Sequence, residues 1–317
     1  MISLRQHIFS LVAVFVALAV GIAAGSTVVR GPLLDSLRAR LESAEQNISV
    51  ERAENDQLAA ELAQLDGWEV DGPNQLLGGR LGGSAVLLVV AGDVDSDVVA
   101  GTIRSVRASA AVLAGELRLD QAVFDGEQVD RLHQALGTDP NDTPEPAVVF
   151  GERVGLLVVS VRDQILADET AHADQILSAA FGEFEDAGLV DLLQLNTSDM
   201  IVDEVDLLVL TDRNLVSDPA PVLSGVIAVS DPDVAGMTTL VAEVGRVLQD
   251  NDSPVPSFVG SVRESGRLRD EVATVDNAET FLGWAEMILG LETARRGIIE
   301  HYGFRDGADR SLPQFSP

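Results

Sequence analysis

The chain has 317 residues, 46% of them hydrophobic, enough for one large domain or two small ones with a real core. Its formal net charge of −30 comes from 51 acids against 21 bases, all of them Arg, and such a field repels phosphate backbones, so no nucleic-acid partner is expected. Cysteine is absent, which excludes disulfides, thiolate metal sites and cysteine nucleophiles together.

From Ile8 to Val29 the sequence runs through 22 residues without a charge, long enough as a helix to cross a hydrocarbon core of roughly 30 Å. The rival reading is a cleaved signal peptide ending near Ala23-Ala24-Gly25-Ser26, but the apolar run exceeds the usual core of about 7 to 15 residues. A membrane anchor is therefore expected, with the N-terminal tail and anchor covering residues 1–30. Arg5 precedes the span and Arg30, Arg38 and Arg40 follow it, so the count of flanking charges favours neither side. Long domains translocate largely regardless of charge, and the expected topology keeps the N-terminus in the cytoplasm and the bulk outside.

Residues 31–67 read as a coiled-coil stalk. Apolar side chains step by three and four through Leu34, Leu37, Leu41, Ala44, Ile48, Leu58, Leu62 and Leu65, with Glu51 and Asn55 at the two remaining seam positions. With Leu34 at a, Asn55 also falls at a, where a buried polar residue fixes register and favours a two-stranded parallel coil. These residues form the expected homodimer interface; the alternative is a lone amphipathic helix packed on its own domain. Asp66-Gly67 and Asp71-Gly72-Pro73-Asn74 end the helix. A Gly-rich connector, residues 68–83, follows.

Residues 84–303 read as an acidic α/β domain, with residues 304–317 as a C-terminal tail. The apolar run Ser84–Val90 reads as a buried parallel strand, followed by the turn Gly92-Asp93 and a helix over 97–107. Further strands are predicted at 110–113, 205–210, 225–229, 257–260 and 272–275, and helices at 127–136, 163–184, 233–248 and 278–299. The alternation predicts a doubly wound, mostly parallel sheet. The loop Thr138–Pro146, rich in Asp and Pro, marks a boundary between two halves.

Ligands of open α/β sheets bind beyond the carboxyl ends of the strands, which selects Asp93 and Asp95 after the first strand, Gly260-Ser261 after the strand expected at 257–260, and Asp276 and Asn277 after the last. The bland reading makes the two Asp-bearing groups helix caps, Asp276-Asn277-Ala278-Glu279 as a capping box. No phosphate-binding loop and no nucleophile elbow occurs in the sequence. With no nucleophile, base and orienting group to nominate, no enzymatic activity is expected; Asp93, Asp276 and His301 would be the residues to test first. No cofactor is predicted from the residues.

The opening MISLRQHIFSLVAVFVALAVGIAAGS, the turn Ala91-Gly92-Asp93, the segment Thr274–Thr280 (TVDNAET) and His301-Tyr302-Gly303 resemble the actinobacterial MctB family along essentially the whole chain. The resemblance implies a cell-envelope protein with a role in copper transport or homeostasis, copper being implied in this way alone. Copper(I) favours thiolate and thioether ligands, and a chain with four Met and no Cys points to an indirect or oligomer-dependent role. Related proteins are also associated with cell separation, which implies a coiled-coil scaffold acting with an envelope protein partner.

Overall fold

The computed structural model describes residues 4–28, 41, 44, 48, 52, 76–124, 128–139, 141, 145–167, 173–193, 202–213, 219–230, 237–245 and 257–309. The chain divides into two units, Met1–Gly67 and Trp68–Pro317, so the loop at 138–146 does not split the larger one.

In the first unit, α1 (Leu4–Val28) is one continuous helix. Its apolar side chains are exposed all round, from Phe9 at 75% to Ile22 at 64%. Its side chains are described over residues 7–23, and among the described residues no helix is long and apolar enough to cross a membrane. Of the expected stalk seam, Leu41, Ala44 and Ile48 stand in helical backbone and are exposed. Leu34, Leu37, Asn55, Leu58, Leu62 and Leu65 lie outside the described residues.

The second unit is a three-layer α/β/α sandwich. Its strands are β1 (Ser84–Ala91), β2 (Val112–Leu119), β3 (Val190–Leu193), β4 (Glu204–Asp212), β5 (Thr239–Val244), β6 (Ala273–Val275) and β7 (His301–Tyr302). They form one sheet in the order β3-β2-β1-β4-β5-β6-β7. Every neighbouring pair is parallel except β2 with β3. Every residue of β1 is buried, as a run of Val and Leu with helices on both faces requires.

Side-chain alternation divides the core in two. Leu87, Val89, Leu207, Val209 and Val241 face one layer, built from α3 (Val129–Leu136), α4 (Pro146–Ala167), α5 (Ala173–Asp186), α6 (Ala220–Ser230) and α7 (Phe258–Glu264). Val86, Leu88, Leu208, Leu210 and Leu240 face the other, built from α2 (Ser96–Ala108) and α9 (Phe281–Arg295); the short α8 (Leu268–Glu271) precedes β6. The chain moves outward from β1 through α2 on one face and from β4 through α6 on the other. The order therefore reverses between β1 and β4, the position where open sheets of this kind leave a crevice at their carboxyl ends.

Several local expectations are corrected. Residues 225–229, expected as a strand, lie in α6, and 257–260 open α7. Residues 239–244, expected within a helix, are β5. The helix expected over 163–184 is two, α4 and α5, and α4 begins at Pro146, inside what reads as a loop. Leu77 and Leu81 of the Gly-rich connector are fully buried, so that end of it packs into the domain.

Glycines set the closest helix contact. A Cβ on Gly151 of α4 would lie 2.3 Å from the Val222 carbonyl of α6, and one on Gly225 of α6 would lie 2.8 Å from the Glu152 amide nitrogen. The two backbones touch, which no larger residue allows. Gly182 of α5 meets nothing within 4 Å. In urea denaturation, Gly151→Ala is expected to destabilise the domain by about 1–3 kcal/mol through overpacking. Gly182→Ala is expected to be neutral or to stabilise by about 0.5–1 kcal/mol through helix propensity.

Candidate functional site at the carboxyl edge of the sheet

The carboxyl ends of β5, β6 and β7 converge on one buried ion pair. Arg263 Nη1 donates to Asp276 Oδ2 at 2.7 Å, and the two side chains are 2% and 1% exposed. The remaining donors of Arg263 are also used: Nε donates to Thr274 Oγ1 at 2.9 Å and Nη2 to the Tyr302 carbonyl at 2.6 Å. Asp276 accepts two further hydrogen bonds, from the Phe304 and Arg305 amides at 3.0 Å each. The chain can wrap this closely because Gly303, at φ +131°, has no side chain, and a Cβ there would lie 2.1 Å from Asp276 Oδ1.

His301 extends the network. Its Nε2 lies 3.0 Å from the Arg269 carbonyl, which can only accept, so Nε2 carries the proton and Nδ1 accepts from Thr274 Oγ1 at 2.9 Å. Burial holds the imidazole below its ordinary pKa, against the opposing charge of Asp309. With both nitrogens committed, His301 reads as a structural neutral histidine.

Around this pair lie acids that the sequence hides inside apolar runs. Glu243, in the strand TLVAEV, is 0% exposed and accepts from Arg305 Nη1 at 2.6 Å. Burial raises its pKa, opposed by Arg305. Glu286, in the helix run WAEMILG, is also 0% exposed, and neither of its carboxylate oxygens has a hydrogen-bond partner. Burial pushes its pKa up to about 8, against the Asn277 amide, which lies close enough to favour the ionised form; the Asp276 charge adds to the rise. The Asn277 side chain, itself buried, makes no hydrogen bond of ordinary geometry. At the opposite edge Asp206 is held by Arg295, yet burial still raises its pKa to about 6.

The residues predicted from the sequence do not form one site. Asp95 caps α2, accepting from the Asp97 amide at 2.9 Å; Asp93 is exposed on the same turn. Asp276 and Asn277 follow β6, three strands from β1, a separation of about 14 Å at the usual strand spacing. The expected capping box is also corrected: Thr280 caps α9, accepting from the Gly283 amide at 3.0 Å, and Asp276 is drawn into the ion pair instead. Arg263, Glu243, Glu286 and Arg305 were missed, although a charged residue in an apolar run is itself a signal of a buried polar site. Residues 304–309, read as a tail, are hydrogen-bonded into the domain.

Among the described residues no group of three or more His, Asp or Glu side chains is placed to hold a metal ion. Met237 and Met287 are 2% and 0% exposed, packed in the two cores.

The family described as "Copper transport outer membrane protein, MctB" matches residues 1–313. The "Copper transporter MctB" of Mycobacterium tuberculosis (strain ATCC 25618 / H37Rv) is 25% identical over 324 residues, spanning 97% of this chain and 98% of the relative. The protein of the same name from Mycobacterium leprae (strain TN) is 27% identical over 330 residues, spanning 99% of this chain and 100% of the relative.

Glu286 gives the site a pH signature. The unfolded carboxyl ionises near pH 4.5, whereas the folded one keeps its proton to about pH 8. Between those values the folded protein binds the extra proton, so this group lowers stability progressively as pH rises through the window and adds no further change above it. Glu286→Gln removes the titration. Its stability relative to the parent protein, followed by urea denaturation, is expected to rise steadily from pH 5 to pH 8; a constant offset across that range would exclude the assignment.

Proposed function

We propose that this chain, which belongs to the MctB family, is a membrane-anchored, non-enzymatic dimer of the cell envelope whose part in copper transport or homeostasis is indirect or depends on the oligomer. The reading rests on the match over residues 1–313 to a family described by copper transport, set against a chain with no Cys and with its described Met in the cores. Copper(I) is held by thiolate and thioether sulfur, and the described thioethers are spent on packing. The carboxylates are hard donors, and two of the described imidazoles are hydrogen-bonded, His133 to Thr138 and His301 to Thr274, while His7 stands exposed on α1.

The anchor reading is supported by the continuity of α1. Its uncharged part, residues 8–28, extends about 31 Å at 1.5 Å per residue, against a hydrocarbon core of roughly 30 Å. Only part of that length, up to residue 23, has described side chains. A helix apolar all round needs an apolar surround. Placing the bulk of the chain on the extracytoplasmic side rests on the tendency of long domains to translocate largely regardless of flanking charge. The stalk reading is supported by Leu41 and Ile48, exposed at 59% and 48% in helical backbone. Two anchors emerging together raise the local concentration of their stalks, so a short coil forms beside the membrane that would be marginal alone. A paired stalk of this kind presents two acidic domains to an envelope protein partner.

Two measurements test the proposal. In equilibrium titration of the full chain in detergent against a copper(I) chelator, no stoichiometric ion is expected to be retained at sub-picomolar free copper; retention of one ion per chain would overturn the indirect role. Because the chain has no Cys of its own, cysteines introduced at Leu37 and Leu62 report only on themselves. Each is expected to cross-link to its counterpart in membranes, and failure at both positions would show that the parallel coil does not form.

A further inference from the structure

The carboxyl ends of β4 and β5 hold buried acceptors that no donor of the fold meets in ordinary hydrogen-bond geometry. Thr211 and Glu243 are paired in register across the two strands. Alternation from Val209 and Val241 puts both side chains on the face covered by α6 and α7. Each residue is 0% exposed, and Thr211 Oγ1 and Glu243 Oε1 make no hydrogen bond of ordinary geometry, although the Ser257 hydroxyl and the Val259 amide lie close enough to Glu243 to favour its ionised form. Glu279, whose pKa is raised by burial against its own amide, the charge of Arg305 and the Gly245 amide, adds two more shielded carboxylate oxygens with no hydrogen bond of ordinary geometry. Among the described residues Arg305 is the cation in direct contact here, through its bond to Glu243 Oε2.

Buried polar atoms are nearly always satisfied by protein, water or ligand, so the character of these four defines what fits. All are oxygens, and with both carboxyls ionised only the threonine can also donate. A guest must therefore bring several N–H or O–H donors. Charge narrows the choice further. Asp276 and Arg263 neutralise one another, whereas Arg305 faces both Glu243 and Glu279, leaving one negative charge in excess at the edge. Arg213 is exposed at the mouth, its side chain lying against Gly245, and is screened by solvent. A bare metal ion is a poor match, since among the described residues no set of three His, Asp or Glu ligands converges.

We propose that this edge is a binding site for a compact organic cation rich in N–H donors, a guanidinium or primary ammonium group. Glu243 is its central acceptor, Thr211 and Glu279 flank it, and Arg305 is the internal guanidinium that closes one side of the site. Arg305 is itself the precedent for the chemistry, a guanidinium already seated on Glu243. Its side chain is 25% exposed, which places solvent access on that side.

Calorimetric titration and thermal melting of the full chain in detergent test the site with agmatine, which carries both groups, and with tetramethylammonium, a cation that lacks N–H donors. Agmatine is expected to bind one per chain and raise the melting temperature, and tetramethylammonium to do neither. Glu243→Gln, checked for folding by circular dichroism, is expected to weaken agmatine at least tenfold. Thr211→Val, equal in volume and without the hydroxyl, is expected to weaken it severalfold, and Arg305→Ala to tighten it by opening a second guanidinium position. Absence of saturable binding at millimolar agmatine, an equal response to tetramethylammonium, or binding unchanged in Glu243→Gln would overturn the proposal. Binding by Arg305→Ala alone would also overturn it, since the site would then be filled permanently by the protein's own arginine.

Discussion

Arg263 and Asp276 meet deep inside the sheet's carboxyl edge, and the last third of the domain is arranged to keep them satisfied. Taking both ions out of water costs more than their attraction alone returns, so such a pair is tolerated only when every remaining donor and acceptor is met. Here Thr274, the Tyr302 carbonyl and the backbone amides of Phe304 and Arg305 meet them. Those contacts hold β6 and β7 together with α7 and draw residues 304–309 across the edge. Removing one partner would leave a buried charge uncompensated, typically a loss of about 3–5 kcal/mol. The pair therefore specifies how the chain closes more than it adds to the stability of the closed form.

The same constraint explains how a chain so acidic folds at all. Repulsion among surface carboxylates opposes compaction, and the domain meets its buried acids in two different ways. Asp206, Glu243 and Asp276 each receive an arginine. Glu286 receives none by direct bond and is kept neutral by burial instead. A protonated carboxyl is the cheaper state in an apolar surround because the ionised form loses its hydration there.

Packing on the opposite face follows from shape. Gly151, Gly155 and Gly225 let α4 and α6 approach until their backbones touch, which seats two very apolar helices over β1 and β4 without large side chains between them. The carboxyl edge consequently sits between a face packed through glycine and a face packed through Trp284, Met287 and Leu291 of α9.

The sequence by itself determined the α/β class with its mostly parallel sheet, the first strand, α2, β4 and the last helix, because each carries a long run whose pattern has one physical solution. It also pointed to the family through motifs spread from the first residues to Gly303. Short apolar runs were a different matter. Gly225–Val229 reads as a strand yet is helical, and Thr239–Val244 reads as helix yet is a strand, since a segment buried on all sides shows no periodicity to tell the two apart. Whether Asp276 capped a helix or paired with an arginine depended on Arg263, thirteen residues away, and on a turn at Gly303 that only the closed chain creates. Asp93 and Asp276 were both correctly placed at carboxyl ends of strands, but strand order decided that β4 and β5 stand between them. That order arises from which helix covers which face, a property of packing that no local pattern encodes.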